Sequence, residues 1–393
     1  MSEEPNGGAP DVELTVLLPC LNEARTVASC VRQAIEVCAT HGVAAEVLVA
    51  DNGSTDGSPE LSLEAGAAVL PVADQGYGAA LRAGIAAARG RFVIMGDADD
   101  SYEFGDIPVF LAELRKGAEL VMGSRFRGTI HPGAMPLLHR FLGNPVLTFI
   151  LNLFFGAGVS DAHCGMRGLD RKAIQGLALR CNGMEFASEM IIRSAQEKLR
   201  IREVPTSLRP DGRGRKPHLR TWRDGWRHLR FMLLFSPLWL FLIPGLSAAA
   251  GGLALMAAVA FTNIAIFGHR LDTHFALLGS ALAILGIELS ILGAFAKAVF
   301  VLDGIGKSVG ARRLLDGFDL EKGLLAGLTV LLVGAGMDGT VLFRWLRSHG
   351  GALDANATHL AILGGTLCVV AVQIIFSAFF LSILKSSKTG RWV

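Results

Sequence analysis

Four long apolar runs crowd the second half of this chain, and none of comparable length occurs in the first. They cover about 245–267, 275–302, 323–346 and 359–384. Each can cross a hydrocarbon core of ~30 Å as a helix. A lipid-embedded backbone must satisfy its own polar groups, so runs of this length read as helices. Composition matters because its average hides this division. The 393 residues are 51% hydrophobic and 18% charged, with a net charge of +2. Residues 1 to about 230 look like an ordinary α/β protein, and the remainder looks like membrane.

Loop charge sets the expected orientation. Lys307, Arg312, Arg313 and Lys322 fall between the second and third runs, and Lys385, Lys388 and Arg391 follow the fourth. The opposite loops carry Arg270, Arg344 and Arg347. Both termini are therefore expected in the cytoplasm of an inner-membrane protein. The polar, acidic start Ser2-Glu3-Glu4-Pro5-Asn6-Gly7-Gly8 has no apolar core and does not read as a signal peptide. Glu288, Lys297 and Asp338 lie in or near spans and receive no catalytic assignment. Gly251-Gly252 and Gly334-Ala335-Gly336 suit close helix packing, within the bundle or between subunits of a homo-oligomer. Six cysteines form no CxxC pair and read as reduced thiols.

Between the two halves the chain is basic. Lys198–Arg230 holds eleven Lys/Arg and three acidic residues. Arg220, Arg223, Arg227 and Arg230 recur at helical spacing beside Trp222, Trp226, Leu229 and Leu233. That pattern predicts an amphipathic interfacial helix. A membrane segment comes directly after it, which argues against nucleic acid as the partner. Arg209–Lys216 reads as a flap, and Phe231–Ile243 as a re-entrant or interfacial piece. Pro145–Phe155 is too short to span and reads as a membrane-facing helix or as core.

The first half alternates apolar strands with helical patterns: Val12–Leu18, Val47–Ala50, Ala67–Val72, Arg91–Met95 and Leu120–Met122 as strands, about Glu23–Ala39 and Gly76–Ala88 as helices. This order predicts a largely parallel sheet covered by helices. Such sheets bind ligands at strand carboxyl ends. Pro19–Glu23, Asp51–Asp56, Asp97–Asp100 and Ser124-Arg125 all fall there. No GxGxxG or GxxxxGK[ST] comes after these strands, so the dinucleotide and P-loop fingerprints are absent. Asp51 can accept hydrogen bonds from a base or ribose. Asp97 and Asp99 offer hard oxygen ligands from one turn, which suits Mg²⁺ or Mn²⁺ on a diphosphate.

The ordered set Leu18-Pro19-Cys20-Leu21-Asn22-Glu23, Asp51-Asn52-Gly53-Ser54-Thr55-Asp56-Gly57, Asp97-Ala98-Asp99 and Gly123-Ser124-Arg125 resembles the inverting family 2 glycosyltransferases with the GT-A fold. The closest likeness is to dolichyl- and polyprenyl-phosphate sugar synthases, over roughly 12–235. Asp161-Ala162-His163-Cys164-Gly165-Met166-Arg167 resembles that family's acceptor-side loop. The resemblance implies an unstructured 1–11, a GT-A domain over 12–218, a juxtamembrane segment over 219–244, a four-helix membrane domain over 245–384 and a tail over 385–393.

It further implies metal-dependent transfer of one hexose, with inversion, from UDP- or GDP-hexose to polyprenyl phosphate. Pro19, Asn22, Glu23, Asp51, Gly76 and Asp97 would bind the nucleotide sugar. Asp97 and Asp99 would hold the metal. Arg125, Arg140, Asn144 and Arg167 would take the acceptor phosphate, with Asp99, Arg125 and Arg167 the catalytic residues. Arg140 and Asn144 lie four apart, on one helical face. Glu185 and Glu189, four apart, would order the site or pair with Arg193. A phosphate monoester with its second pKa near ~6 is already a dianion, so His131, His139 and His163 are not needed as bases. Two departures stand out. Asn52 replaces a usual Asp, and Asp100-Ser101 replaces a usual Leu-Gln, which leaves the third metal ligand open. A processive polysaccharide synthase would carry QxxRW at the end of this domain. The one Arg-Trp near a terminus is Arg391-Trp392. A non-enzymatic lipid-linked transporter would have no need of Asp97, Asp99 and Arg125.

Overall fold

The computed structural model describes residues 12–212, 221–262, 265–266, 269–303 and 317–389. The stretch 1–11, residues 213–220 with Arg220 among them, and Lys307, Arg312, Arg313 and Arg391 lie outside the described residues. The chain forms two compact units, one ending at Met232 and one beginning at Leu233.

The first unit is built on a seven-stranded sheet. Its strands are β1 (Leu14–Cys20), β2 (Ala45–Asp51), β3 (Ala68–Pro71), β4 (Phe92–Met95), β5 (Leu120–Ser124), β6 (Arg167–Asp170) and β7 (Ile201–Pro205). Their spatial order is β3-β2-β1-β4-β6-β5-β7. All neighbours run parallel except β6, which is antiparallel to both β4 and β5. The register aligns Cys20 with Asp51, Leu17 with Met95, and Met95 with Arg167. One sheet edge therefore carries the carboxyl ends of β1, β2, β4 and β5 together with the start of β6.

Helices α1 (Val27–Thr40), α2 (Ser58–Glu64), α3 (Tyr77–Ala87), α4 (Ile107–Arg115), α5 (Asn144–Phe155), α6 (Arg171–Gln175) and α7 (Phe186–Gln196) complete the unit, with α8 (Thr221–Leu234) at its end. The strands read as continuous apolar runs because both sheet faces are covered. Leu14, Val16 and Leu18 join the core shared with Val31 of α1 and Phe110 of α4, all fully buried. Leu17 points the other way, into space left by Gly84 of α3. Short β6 and β7 escaped the sequence reading. Pro145–Phe155 is not core: α5 buries Thr148 and Leu151 and exposes Phe149 and Leu153.

Among the described residues the second unit has four helices long and apolar enough to cross a membrane: Leu238–Phe261, Thr273–Leu302, Leu320–Arg347 and Ala355–Ser387. The first starts at Leu238 rather than 245, because a π turn at Leu238–Leu242 runs directly into the helix from Ile243. Pro244 stands at the start of that helix, where its missing N–H does no harm. Close helix approach rests on glycine: a side chain at Gly252 would meet Gly279 O at 2.5 Å, and one at Gly334 would meet Gly364 O at 2.7 Å. Ser280 and Thr366 share a hydrogen bond of 2.7 Å between helices.

Candidate active site

The β1 and β2 carboxyl ends are laced together. Asn22 Oδ1 accepts from the Thr55 N–H at 2.8 Å, and the Asn22 and Glu23 N–H groups donate to Ser54 and Ser58 at 2.8 Å each. Asn22 adopts a left-handed φ of 59°, a conformation asparagine tolerates. Asp51 accepts from the Gly53 and Ser54 N–H groups through Oδ2, both at 3.1 Å. Its other oxygen, Oδ1, is buried and has no hydrogen-bond partner. A buried acceptor left open in this way suits a ligand donor.

Asn52, where the resembling family has Asp, does work that an aspartate could not. Its Nδ2 donates to Asp74 O at 2.7 Å, and its Oδ1 accepts from the Gly76 N–H at 2.6 Å. A carboxylate accepts only. Asn52 thereby seats the turn Gly76-Tyr77-Gly78. Gly76 has a φ of 129°, and a side chain there would collide with Asn182 O. The 180–182 segment is held in turn by Glu189, whose carboxylate accepts from the Arg180 and Cys181 N–H groups. This is an ordering role for Glu189.

The Tyr77 hydroxyl donates to Asp97 Oδ1 at 3.1 Å. Tyr102 accepts from the Gly165 N–H at 2.8 Å. These are the only two tyrosines in the chain, and burial raises the pKa of both phenols. A side chain at Gly165 would lie 2.6 Å from Asp97 Oδ2 and 3.2 Å from Tyr102 Oη. The turn after β4 and the loop before β6 are thus in direct contact. Sequence reading missed both tyrosines; the rarity of tyrosine in this chain was the signal.

Asp99 is 7% exposed, and its Oδ1 accepts from the Ser101 N–H at 3.1 Å and hydroxyl at 2.5 Å. Asp100 takes a φ of 63°, and its carboxylate accepts from Gln33 at 3.1 Å. Asp100 is therefore tied to α1. Among the described residues no third His, Cys, Asp or Glu joins Asp97 and Asp99 as a metal set. Two hard carboxylates on one turn still fit Mg²⁺ or Mn²⁺, since such ions keep several waters and substrate oxygens in their shell.

The acceptor-side arginines differ from expectation. Arg167 is completely buried. Its Nε donates to Cys164 O at 3.0 Å, Nη2 to Ala162 O at 3.1 Å, and Nη1 to Ala187 O at 2.6 Å. Burial pushes its pKa down. It clamps the 161–165 loop to α7, with all three guanidinium nitrogens already donating to carbonyls, a positioning geometry rather than the phosphate contact expected. Arg125 forms a two-point pair with Asp161, Nε to Oδ2 at 2.7 Å and Nη2 to Oδ1 at 2.8 Å. Its charge is matched there by a buried carboxylate. Arg140 is exposed over the Phe141 ring, and Asn144 donates to the Met135 sulfur. Arg140 lies within a π turn at His139–Gly143 and Asn144 directly follows it, which leaves the two on one side of the helix. His163, beside Asp161, packs edge-to-face on His228 of α8 at 4.8 Å, and His228 Nδ1 bonds the Ser188 hydroxyl at 2.9 Å. Burial, ahead of nearby positive charge, lowers the pKa of both histidines.

Residues 15–177 match Glycosyl transferase family 2, and residues 294–385 match the Glycosyltransferase family 2 C-terminal transmembrane region. The low-salt glycan biosynthesis hexosyltransferase Agl6 of Haloferax volcanii is 37% identical over 383 residues, covering 94% of this chain and 89% of that protein. A dolichyl-phosphate hexose transferase of the same organism is 32% identical over 197 residues, covering 50% of this chain and 83% of that protein. Among solved structures, glucosyl-3-phosphoglycerate synthase from Mycobacterium tuberculosis, in complex with Mn²⁺, UDP-glucose and phosphoglyceric acid, aligns with a TM-score of 0.45 and 21% identity, over 56% of this chain and 78% of that one. The chain is an integral membrane protein, and it belongs to glycosyltransferase family 2.

Proposed function

We propose that this glycosyltransferase moves a single hexose, with inversion, from a nucleotide-diphosphate sugar to a polyprenyl phosphate at the cytoplasmic face of the membrane. The contact between the Asp97 turn and Gly165 carries this reading, because it brings a donor-side carboxylate against the acceptor-side loop. The relative named as a dolichyl-phosphate hexose transferase supports the acceptor class. Loop charge supports the orientation.

In this reading the open Oδ1 of Asp51 accepts from the nucleobase or ribose, and Pro19, Asn22, Glu23 and Gly76 shape the same pocket wall. Asp97 and Asp99 would hold Mg²⁺ or Mn²⁺. When bound, the ion neutralises charge on the departing diphosphate. Tyr77 fixes the rotamer of Asp97. Arg140 and Asn144 contact the acceptor phosphate, while Arg125 and Arg167 position the loop beside it. The phosphate dianion attacks the sugar C1, and the nucleoside diphosphate leaves with the bonding pair. Positioning and charge neutralisation supply most of the acceleration.

The test uses the purified chain in detergent with radiolabelled UDP- or GDP-hexose, Mn²⁺ and polyprenyl phosphate. One lipid-extractable labelled product is expected, and Asp99→Ala should abolish it without affecting membrane insertion. Label in polymer, or normal turnover by Asp99→Ala, would refute the reading.

A further inference from the structure

The second helix of the membrane unit carries a carboxylate that nothing in the unit answers. Glu288 is the sixteenth of the thirty residues of Thr273–Leu302. Either end of the helix is therefore about 21 Å away or more along its axis, at ~1.5 Å per residue. A glutamate side chain cannot cover that distance to water, unlike Lys297, whose longer stem stands five residues from the helix end. Glu288 is nonetheless exposed, and among the described residues no hydrogen bond or ion pair reaches it. Other polar side chains of the helix are matched. Thr273 meets His359 at 3.3 Å, Ser280 meets Thr366 at 2.7 Å, and Ser290 donates to Gly286 O at 2.8 Å. Around Glu288, Leu278, Leu285 and Leu292 are 51%, 52% and 45% exposed, and Ala281 is exposed as well. These five positions are spaced alternately three and four apart, the spacing of one seam of a left-handed helix pair. The seam lies opposite Gly279, Ala283, Gly286 and Gly293, which are buried inside the unit.

We propose that this seam receives a membrane-spanning helix of a different protein, one with a Lys or Arg at the middle of its span that pairs with Glu288. A charged side chain at the centre of a bilayer is costly until it is paired. A second copy of this chain does not supply the cation. Copies inserted in one orientation are related by an axis along the membrane normal, so each residue faces others of its own depth. The cations of the four spans lie at other depths. Lys297 is nine residues along the helix, about 13 Å. Lys322, Arg344, Arg347 and Lys385 stand near span ends. Glu288 of a second copy would bring like charge. Charge complementarity therefore selects another chain and fixes the group that it carries. Ala281, with its short side chain, lets the backbone of that helix come close.

The experiment uses the full chain in phosphatidylcholine vesicles with a synthetic leucine-rich helix of about 23 residues, long enough to span. The central residue of the peptide is Lys, Leu or Glu, and a photoreactive diazirine leucine sits one turn away. Polar contacts between membrane helices strengthen association by about five- to thirtyfold. At limiting peptide the Lys form should photocrosslink about fivefold or more above the Leu form. Its adducts should map to 278–292, and the Glu form should rise no higher than Leu. Glu288→Gln should bring the Lys form down to the Leu level, and Lys297→Gln should leave the excess intact. The peptide series on the parent chain needs no variant, so a folding defect in Glu288→Gln cannot mask the result. Equal adducts with Lys and Leu would overturn the proposal, as would an excess that survives Glu288→Gln or maps to another span. An interchain disulfide at Leu285→Cys that excludes the Lys peptide would assign the seam to a second copy and also overturn it.

Discussion

Replacing Asp161 with Asn should destabilise the first unit far more than a surface charge change would. The pair it breaks is buried, with the Arg125 side chain 10% and the Asp161 side chain 0% exposed. Asp161 also accepts from the Arg125 and His163 N–H groups, at 3.1 and 3.3 Å. Asp161→Asn keeps the shape and leaves the guanidinium without a counter-charge. Removing one partner of a buried pair costs about 3–5 kcal/mol. For a unit of this size each kcal/mol moves Tm by about 2–4 °C, so a fall of about 6–20 °C is expected. Thiol labelling during a thermal ramp reads this unit. Cys20, Cys30, Cys38 and Cys164 are buried, and burial pushes their pKa values to about 11, 12, 11 and 12. They stay silent until the unit opens. The double variant Arg125→Met/Asp161→Leu should recover much of the loss, because no charge is then stranded. A shift under about 2 °C for Asp161→Asn, or a double variant as unstable as the single one, would refute the reasoning.

Gly165→Ala should lower turnover by about 10²-fold or more, since the new methyl forces Asp97 or Tyr102 to move, while Tm stays near the parent value. Asn52→Asp should cost about 1–3 kcal/mol, because its donor to Asp74 O is lost and a carboxylate then faces that carbonyl; thermal labelling checks it. Acid should destabilise the first unit through His163 and His228. Both folded-state pKa values are depressed, so both rings are neutral when folded and protonate first in the unfolded chain. Their stabilisation is complete above about pH 6.5 and declines below it by up to about 1.4 kcal/mol per pH unit for each ring. Stability measured from pH 8 to 5 should show this slope, and His163→Gln with His228→Gln should flatten it.

Much of the sheet was legible because strands covered on both faces must be apolar throughout, as Val47–Ala50 and Phe92–Met95 are. β6 was hidden because it is only Arg-Gly-Leu-Asp, and half of it is charged. That omission misled the reading of Arg167. A motif shows that an arginine is present, but the antiparallel strand decides that it turns inward onto three carbonyls. Asp100 is similar. It stood at the position that left the third metal ligand open, and its left-handed backbone and Gln33 direct it to α1. The first span was misplaced at its start because Phe231–Ile243 was set apart from it as a re-entrant or interfacial piece, whereas the π turn at Leu238–Leu242 runs into the helix from Ile243.

The antiparallel β6 also has a kinetic consequence. It pairs Met95 with Arg167 and inserts between β4 and β5, so the acceptor loop cannot reach the Asp97 turn until a distant segment has threaded in. β7 must then close on β5 from farther along the chain. Non-local pairings of this kind form slowly. During synthesis the sheet stays incomplete until β7 has left the ribosome, and α8 alone comes between the next loop and Leu238, where the first membrane helix begins. The catalytic edge and the membrane anchor therefore mature together, and variants that slow β6 docking should expose the β4 and β5 edges to aggregation before they affect the finished enzyme.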